Sequence, residues 1–373
     1  MEKSSKGHID WVIFFVVLAL MLFSIAFVYT ASQTVSYIKS GTADKFFWNH
    51  SLRILLALIT MIIMAKIDYH IWKKYSKFLL FIAVILLILI FFIGPEVNKV
   101  YRWIYWGPIN FQPSEIAKFA LVLHLATLIS ERQQVLKEFK YAILPMMTWT
   151  LVVCILIALQ PNFSTAFVIY IIAVTMMFIG NVNFLHLLSV SALILIVALG
   201  FALSSSYRLT RLLDYFRGSN TNNPEDINYQ VNQAVTAFGN GGFTGVGPGN
   251  SQQQRFVPEP YGDFIYSIIG EEFGYIGSML IILAFLLLIY RGLKVLKKAP
   301  DIYGYVLGAG ILLTFAFYSF VSIAVNCGVI PTTGQPLPFI SYGGTAVIFY
   351  AAAIGVFLNI SAQANRIVLK EDI

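Results

Sequence analysis

Apolar residues in this chain come in long unbroken runs, not in the narrow alternating stripes of a soluble fold. The runs fall near residues 11–30, 48–65, 78–94, 113–130, 142–159, 163–180, 184–203, 263–290, 302–326 and 341–360. Most hold about 17–25 residues, enough to cross a bilayer as a helix. The pattern predicts an all-α polytopic membrane protein with about ten transmembrane helices. Most connectors between runs are short. Residues 204–262, between spans seven and eight, instead form a long polar segment, and loops of that length tend to carry function. The expected organisation is a single integral membrane domain over residues 1–373, with 204–262 as its large extracytoplasmic loop.

Composition agrees with this reading. The chain is 58% hydrophobic and 12% charged, about half the charge of a soluble domain. A net charge of +7 could serve nucleic acid, but its distribution says otherwise. Lys66, Lys73, Lys74 and Lys77, then Arg132, Lys137 and Lys140, then Arg291, Lys294, Lys297 and Lys298 are expected in loops on one side. That is the asymmetry of cytoplasmic loops. Membrane lipids, and no nucleic acid, are the expected partners. An even count of ten places both termini with those loops, in the cytoplasm. It depends on spans five and six being separated by Gln160-Pro161-Asn162 alone. The first run is too long for a cleaved signal and lacks a small-residue cleavage site, so it reads as a helix. Cys154 and Cys327, in or beside apolar runs, are expected to be buried thiols and not a disulfide.

Charge inside the apolar pattern marks the candidate chemistry. VPEPYGDFIYSIIGEEFGYIG, residues 257–277, carries Glu259, Asp263, Glu271 and Glu272 where the chain begins its eighth span. Asp263 can cap the helix, because its carboxylate accepts backbone N–H bonds at the positive end of the helix dipole; it can also serve chemistry. Glu271 lies about 12 Å further along a helix axis. An ionised carboxylate at that depth needs a cation, a polar cavity or a proton. In span four, Glu115 and Lys118 stand one turn apart and can pair, or Lys118 can meet an anionic head group. In the long loop, Arg208 and Arg211 sit one turn apart in an amphipathic stretch. They can meet lipid phosphates at the interface or grip a substrate phosphate. GNGGFTGVGPGNSQQQ, 239–254, implies tightly bent backbone. No strand is evident before it, which argues against a dinucleotide cradle.

QPSEIAK (112–118), QPNFSTA (160–166), YQVNQAVTAFGNGGFTGVGPGNSQQ (229–253), PYGDFIYSIIGEEFGYIG (260–277) and PTTGQPLPFISYGG (331–344) resemble, in this order, the SEDS family of bacterial membrane proteins (shape, elongation, division and sporulation). The resemblance covers nearly the whole chain. The segment Gly245 to Gln252 looks like the division-type, FtsW-like pattern more than the elongation-type, RodA-like one. The resemblance implies a peptidoglycan glycosyltransferase of the bacterial plasma membrane. Such an enzyme polymerises lipid II into glycan strands, releases undecaprenyl pyrophosphate and partners a class B penicillin-binding protein and other division or elongation proteins. It also implies that Asp263 is the catalytic carboxylate. Glu115, Lys118, Arg208, Arg211, Gln233 and Ser251 are the expected substrate-binding residues. Developing charge on the pyrophosphate would need arginines, Lys118 or a divalent cation, Mg or Mn; no other cofactor is expected. The chain departs from the family in Gly262, where a Thr is common. It also has Gln160-Pro-Asn162-Phe-Ser164 where Glu-Pro-Asp-Leu-Gly is frequent, so an acidic role for that corner is in doubt. An elongation-type polymerase and a lipid II flippase are the alternatives. A transporter expects its charged site near the bilayer midplane, whereas the acids here cluster toward one face.

Overall fold

The computed structural model describes residues 7–94, 102–106, 109–203 and 227–371. The described helices are α1 (Trp11–Ser40), α2 (Lys45–Lys66), α3 (His70–Ile93), α4 (Pro113–Glu131), α5 (Leu144–Leu159), α6 (Phe163–Ile179), α7 (Phe184–Leu203), α8 (Ile227–Gly241), α9 (Ile265–Leu296), α10 (Ile302–Asn326) and α11 (Ala346–Glu371). Among the described residues eight helical spans are long and apolar enough to cross a membrane, α5 counting with the turn before it as Phe139–Leu159, while the apolar stretches Phe163–Ile179 of α6 and Phe184–Gly200 of α7 are shorter. These match the ten runs one for one. α8, inside the long loop, is the eleventh. A small antiparallel hairpin, β1 (Ile104–Trp106) and β2 (Ile109–Phe111), precedes α4 and was not legible in the hydropathy.

Several boundaries differ from the apolar runs for one physical reason. Lys73, Lys74 and Lys77 do not lie in a loop. They occupy the first turns of α3, which begins at His70. Arg291 and Lys294 likewise belong to the last turns of α9. Long basic side chains are good helix formers and can carry their charges to the polar end, so the helix outruns its apolar core. α1 also runs on, to Ser40, until Gly41 at φ 72 takes the left-handed C-cap and donates to the Tyr37 carbonyl at 2.9 Å.

The basic joints share one end of the bundle. Tyr69 and His70, at the α2–α3 turn, hydrogen-bond to Asp301, at the α9–α10 turn, at 2.8 and 2.6 Å. Lys73 approaches Glu131 at the end of α4 (3.9 Å). Arg291 pairs with Asp10 at 2.6 Å, and Asn365 of α11 donates to the His8 carbonyl at 2.8 Å. The start of α1 and the later turns of α11 are therefore neighbours at this end.

α4 is the most enclosed span, packed by α3, α10, α6 and α5, while α2 lies along α11. At Gly355 a Cβ would stand 2.5 Å from the Met61 carbonyl oxygen, so only glycine admits that approach of α2. The periphery presents Phe15, Phe23, Leu55, Phe81, Leu280 and Leu286 outward, the apolar belt a lipid environment requires. α5 and α6 are separate, neighbouring helices joined at the Gln160–Asn162 corner, and Gln160 Nε2 donates to the Leu87 carbonyl at 3.1 Å. Cys154 is buried as expected. Cys327 is not: it follows the last turn of α10 and is exposed.

Candidate active site

Asp263 sits in a turn immediately before α9, and it does not cap the helix. The N-cap position is Phe264, with no side-chain cap bond. The helix end is served by its neighbour instead. The Ser267 N–H donates to Asn326 Oδ1 at 3.0 Å, and Asn326 Nδ2 donates to the Asp263 carbonyl oxygen at 2.8 Å. Among the described residues no hydrogen bond reaches the Asp263 carboxylate.

The segment 331–344 wraps this turn. Ser341 Oγ donates to the Gly262 carbonyl at 2.8 Å, and the Tyr342 N–H donates to the Tyr261 carbonyl at 2.9 Å. The Leu337 N–H in turn donates to Ser341 Oγ at 2.8 Å. Gly334 runs past the carboxylate itself: a Cβ there would lie 3.6 Å from Asp263 Oδ2. One residue on, Gln335 Nε2 donates to Thr165 Oγ1 at 2.7 Å, and Thr165 Oγ1 donates to Asn162 Oδ1 at 2.6 Å. Arg102 donates to the Pro161 carbonyl oxygen of the same corner. Three motifs far apart in sequence thus meet around one carboxylate. Asn162, where the family often has an acid, binds Thr165.

Asp263 is partly buried. Burial, joined by the nearby Glu259 charge and opposed by Arg102, raises its carboxyl from the ordinary range to about 6. At neutral pH most of it is ionised and available to take a proton.

The other expected site residues separate sharply. Glu115 and Lys118 are buried and paired with each other. Lys118 is 1% exposed. Its Nζ donates to Glu115 Oε2 at 2.8 Å and to Tyr350 Oη at 2.9 Å, and lies 4.0 Å from the Tyr318 ring centroid. A cation so enclosed is neutralised and boxed in by aromatic rings; it is part of the bundle's core. Ser251 is also taken: its buried hydroxyl donates to Glu271. Gln233 lies half-buried on α8, beside Ala234, which packs with Val257 and Phe264 on either side of the Asp263 turn. Arg208 and Arg211 lie outside the described residues.

Glu271 gathers the glycine-rich loop. Its Oε1 accepts from Asn240 Nδ2 at 3.1 Å and the Gln252 N–H at 3.3 Å, and its Oε2 from Ser251 and the Gln253 N–H at 3.1 Å. Glu272 Oε2 accepts from Thr30 Oγ1 of α1 at 3.0 Å. Donors on both oxygens let Glu271 do without a cation, whereas Glu272 Oε1 is buried with no hydrogen-bond partner among the described residues. Below them α9 breaks at Gly274, φ 64. The loop closes the break: the Val246 and Gly247 N–H groups donate to the Glu271 and Glu272 carbonyls, both at 3.0 Å, and the Tyr275 N–H donates to the Gly242 carbonyl at 2.9 Å.

Sequence reasoning missed Arg102, Asn326 and Ser341. Arg102 carried a usable signal, as a cation just before span four on the same side as Asp263. Asn326 and Ser341 carried none, because each acts through backbone far away in sequence.

Comparison with known proteins agrees with the motifs. Residues 10–366 match the model of the FtsW, RodA and SpoVE cell cycle protein family. A probable peptidoglycan glycosyltransferase FtsW of Trichlorobacter lovleyi is 33% identical over 95% of this chain and 93% of its own length. Stage V sporulation protein E of Bacillus subtilis is 33% identical over 97% and 99%. Among solved structures, a chain from a peptidoglycan synthase complex described as coordinating polymerization and crosslinking shares the fold at a TM-score of 0.80. It is 24% identical, over 95% of this chain and 98% of that one. The rod shape determining protein RodA of Thermus thermophilus shares it at 0.70, with 23% identity over 95% and 96%.

Proposed function

Because the chain belongs to the FtsW, RodA and SpoVE family, we propose that it is a peptidoglycan glycosyltransferase that polymerises lipid II, in the division branch, with Asp263 as its general base. The relatives named FtsW support the activity and the septal role. One observation carries the assignment of the base: the Asp263 carboxylate accepts no hydrogen bond among the described residues, caps no helix, and sits where three motifs converge.

The chemistry follows from that placement. The donor sugar is bonded to a lipid pyrophosphate and the acceptor brings a hydroxyl. As the acceptor oxygen attacks the anomeric carbon, its proton passes to the Asp263 carboxylate. The carbon–oxygen bond to the pyrophosphate breaks, and the bonding pair leaves with the phosphate. A pyrophosphate leaves without prior protonation, so one base suffices. Such catalysis is worth about 10²–10⁴-fold.

Among the described residues, no group of three His, Cys, Asp or Glu side chains could hold a metal ion. Glu259, whose charge reaches Asp263, is the residue that would help hold a Mg or Mn ion arriving with the pyrophosphate, leaving Asp263 as the base. Such an ion would supply charge for the departing pyrophosphate. The clustering of basic joints supports a plasma-membrane orientation with both termini in the cytoplasm and Asp263 facing out. The synthase complex among the structural neighbours supports a class B penicillin-binding protein as partner.

The deciding assay is lipid II polymerisation by the purified full chain, with its transpeptidase present. Asp263→Asn should abolish strand formation while expression and thermal midpoint stay at the native level. Native-level strand synthesis by this variant would remove Asp263 from the mechanism. Scrambling of labelled lipid II by the native chain without any strand would instead favour the flippase.

A further inference from the structure

A cation on α2 has no anionic partner among the described residues. Phe46, His50 and Arg53 fall on one face at helical spacing, and that face meets the segments that build the Asp263 turn. Phe46 packs on Tyr261 and Tyr342, with ring centroids 4.8 and 5.2 Å apart. His50 lies 5.7 Å from the Tyr342 ring, and the Arg53 guanidinium carbon sits 4.6 Å from its centroid. Tyr342 is the residue whose N–H holds the Tyr261 carbonyl, two positions before Asp263.

None of these neighbours neutralises Arg53. Its Nη1 is buried with no acceptor, and among the described residues no carboxylate forms an ion pair with it. His50 offers no negative charge. The Ser24 hydroxyl donates to the Met21 carbonyl at 2.6 Å, so it must accept from His50 Nε2, 2.9 Å away. The flanking α2 residues Leu52, Leu55 and Leu56 are exposed apolar side chains of the lipid-facing belt. A guanidinium within a membrane span is costly unless an anion meets it. Helical side chains lean toward the N-terminus, which here carries the guanidinium toward the Asp263 end. The ring of Tyr342 covers one side of it and the lipid belt adjoins the other.

We propose that Arg53 is a phosphate-binding residue for a lipid pyrophosphate that reaches the Asp263 turn from the bilayer, between α2 and the 331–344 segment. The chemistry recognised is a doubly charged phosphate ester on a hydrocarbon chain. The planar fork of Arg53 can take two of its oxygens, and Tyr342 holds that plane. This rests on the polymerase reading for the identity of the lipid, but its test reads binding without turnover.

The test uses the full chain in nanodiscs of phosphatidylcholine, titrated with a polyprenyl pyrophosphate, the corresponding polyprenol, or phosphatidylglycerol. Arg53→Gln should weaken the pyrophosphate lipid about tenfold or more, the loss expected for a charge-assisted hydrogen bond, and leave polyprenol unchanged. Arg53→Lys, which keeps the charge and loses the fork, should fall between. Lys45→Gln, an exposed charge at the start of the same helix, should stay within about twofold of native if local geometry and not general surface charge is responsible. Thermal midpoints confirm that each variant is folded. Three results would overturn the proposal: unchanged pyrophosphate binding in Arg53→Gln, equal loss of polyprenol, or loss confined to phosphatidylglycerol. If Asp263→Asn still polymerises while Arg53→Gln loses the lipid, the catalytic reading falls and the phosphate site stands.

Discussion

At the scale of single residues, three acids that look alike in the sequence have different fates. Asp263 is left without donors, Glu271 is saturated with them, and Glu115 is locked to Lys118. A carboxyl raised to about 6 is protonated below that pH and ionised above it. A base needs the ionised form, so kcat/KM should climb through about pH 6 and level off above it. Glu259→Gln removes a like charge and should move that rise to lower pH, read from the pH profile of strand synthesis. A profile unmoved by Glu259→Gln would deny that the two carboxylates sense each other. The buried pair predicts the opposite kind of effect. Lys118→Met strands the Glu115 carboxylate in an apolar core, at a cost of about 3–5 kcal/mol. It should therefore lower the thermal midpoint in detergent whether or not substrate is present. Replacing both partners with apolar residues should recover much of that loss. The i,i+3 spacing made the Glu115–Lys118 pairing visible in the sequence. The choice between core and ligand was not visible, because it depends on Tyr318 and Tyr350, some two hundred residues away.

At the scale of elements, α9 shows how a loop and a span can form one unit. Hydropathy gave the span and glycine content gave a bent loop, but neither revealed that the loop fills a break in the helix. Gly274 is required there twice over, by its positive φ and by its clearance: a Cβ would come within 2.5 Å of the Gly245 nitrogen. Gly274→Ala should cost on the order of 1–3 kcal/mol. Glu271→Ala should release Asn240, Ser251, Gln252 and Gln253 together. Both variants should raise hydrogen exchange across residues 242–254 while the joint at Asp301 stays protected. Unchanged protection of the loop in Glu271→Ala would mean that packing, and not the carboxylate, secures it.

At the scale of the molecule, the ten-run pattern fixed the architecture because each apolar run of that length has essentially one low-energy state in lipid, a helix. Which motifs meet was legible only through family resemblance. The 160–166, 260–277 and 331–344 stretches are joined by side-chain-to-backbone bonds that leave no periodic trace. The basic residues were read correctly as a group, and Arg132, Lys137, Lys297 and Lys298 do lie in connections; Lys73, Lys74, Lys77, Arg291 and Lys294 lie in helices instead, since long basic side chains extend the helices they flank.

The interruption in α9 has a consequence for how the protein is made. Two peptide carbonyls and the N–H of Tyr275 lie where a membrane helix would ordinarily satisfy its own backbone, and the glycine-rich segment supplies their partners. Translocation alone therefore delivers an unfinished eighth crossing, with bare polar groups facing hydrocarbon. The crossing is completed only when the preceding glycine-rich segment folds back and docks. Insertion of the apolar run and folding of the loop are thus one event in the making of this span, and a chain halted between them would carry its defect at Gly274.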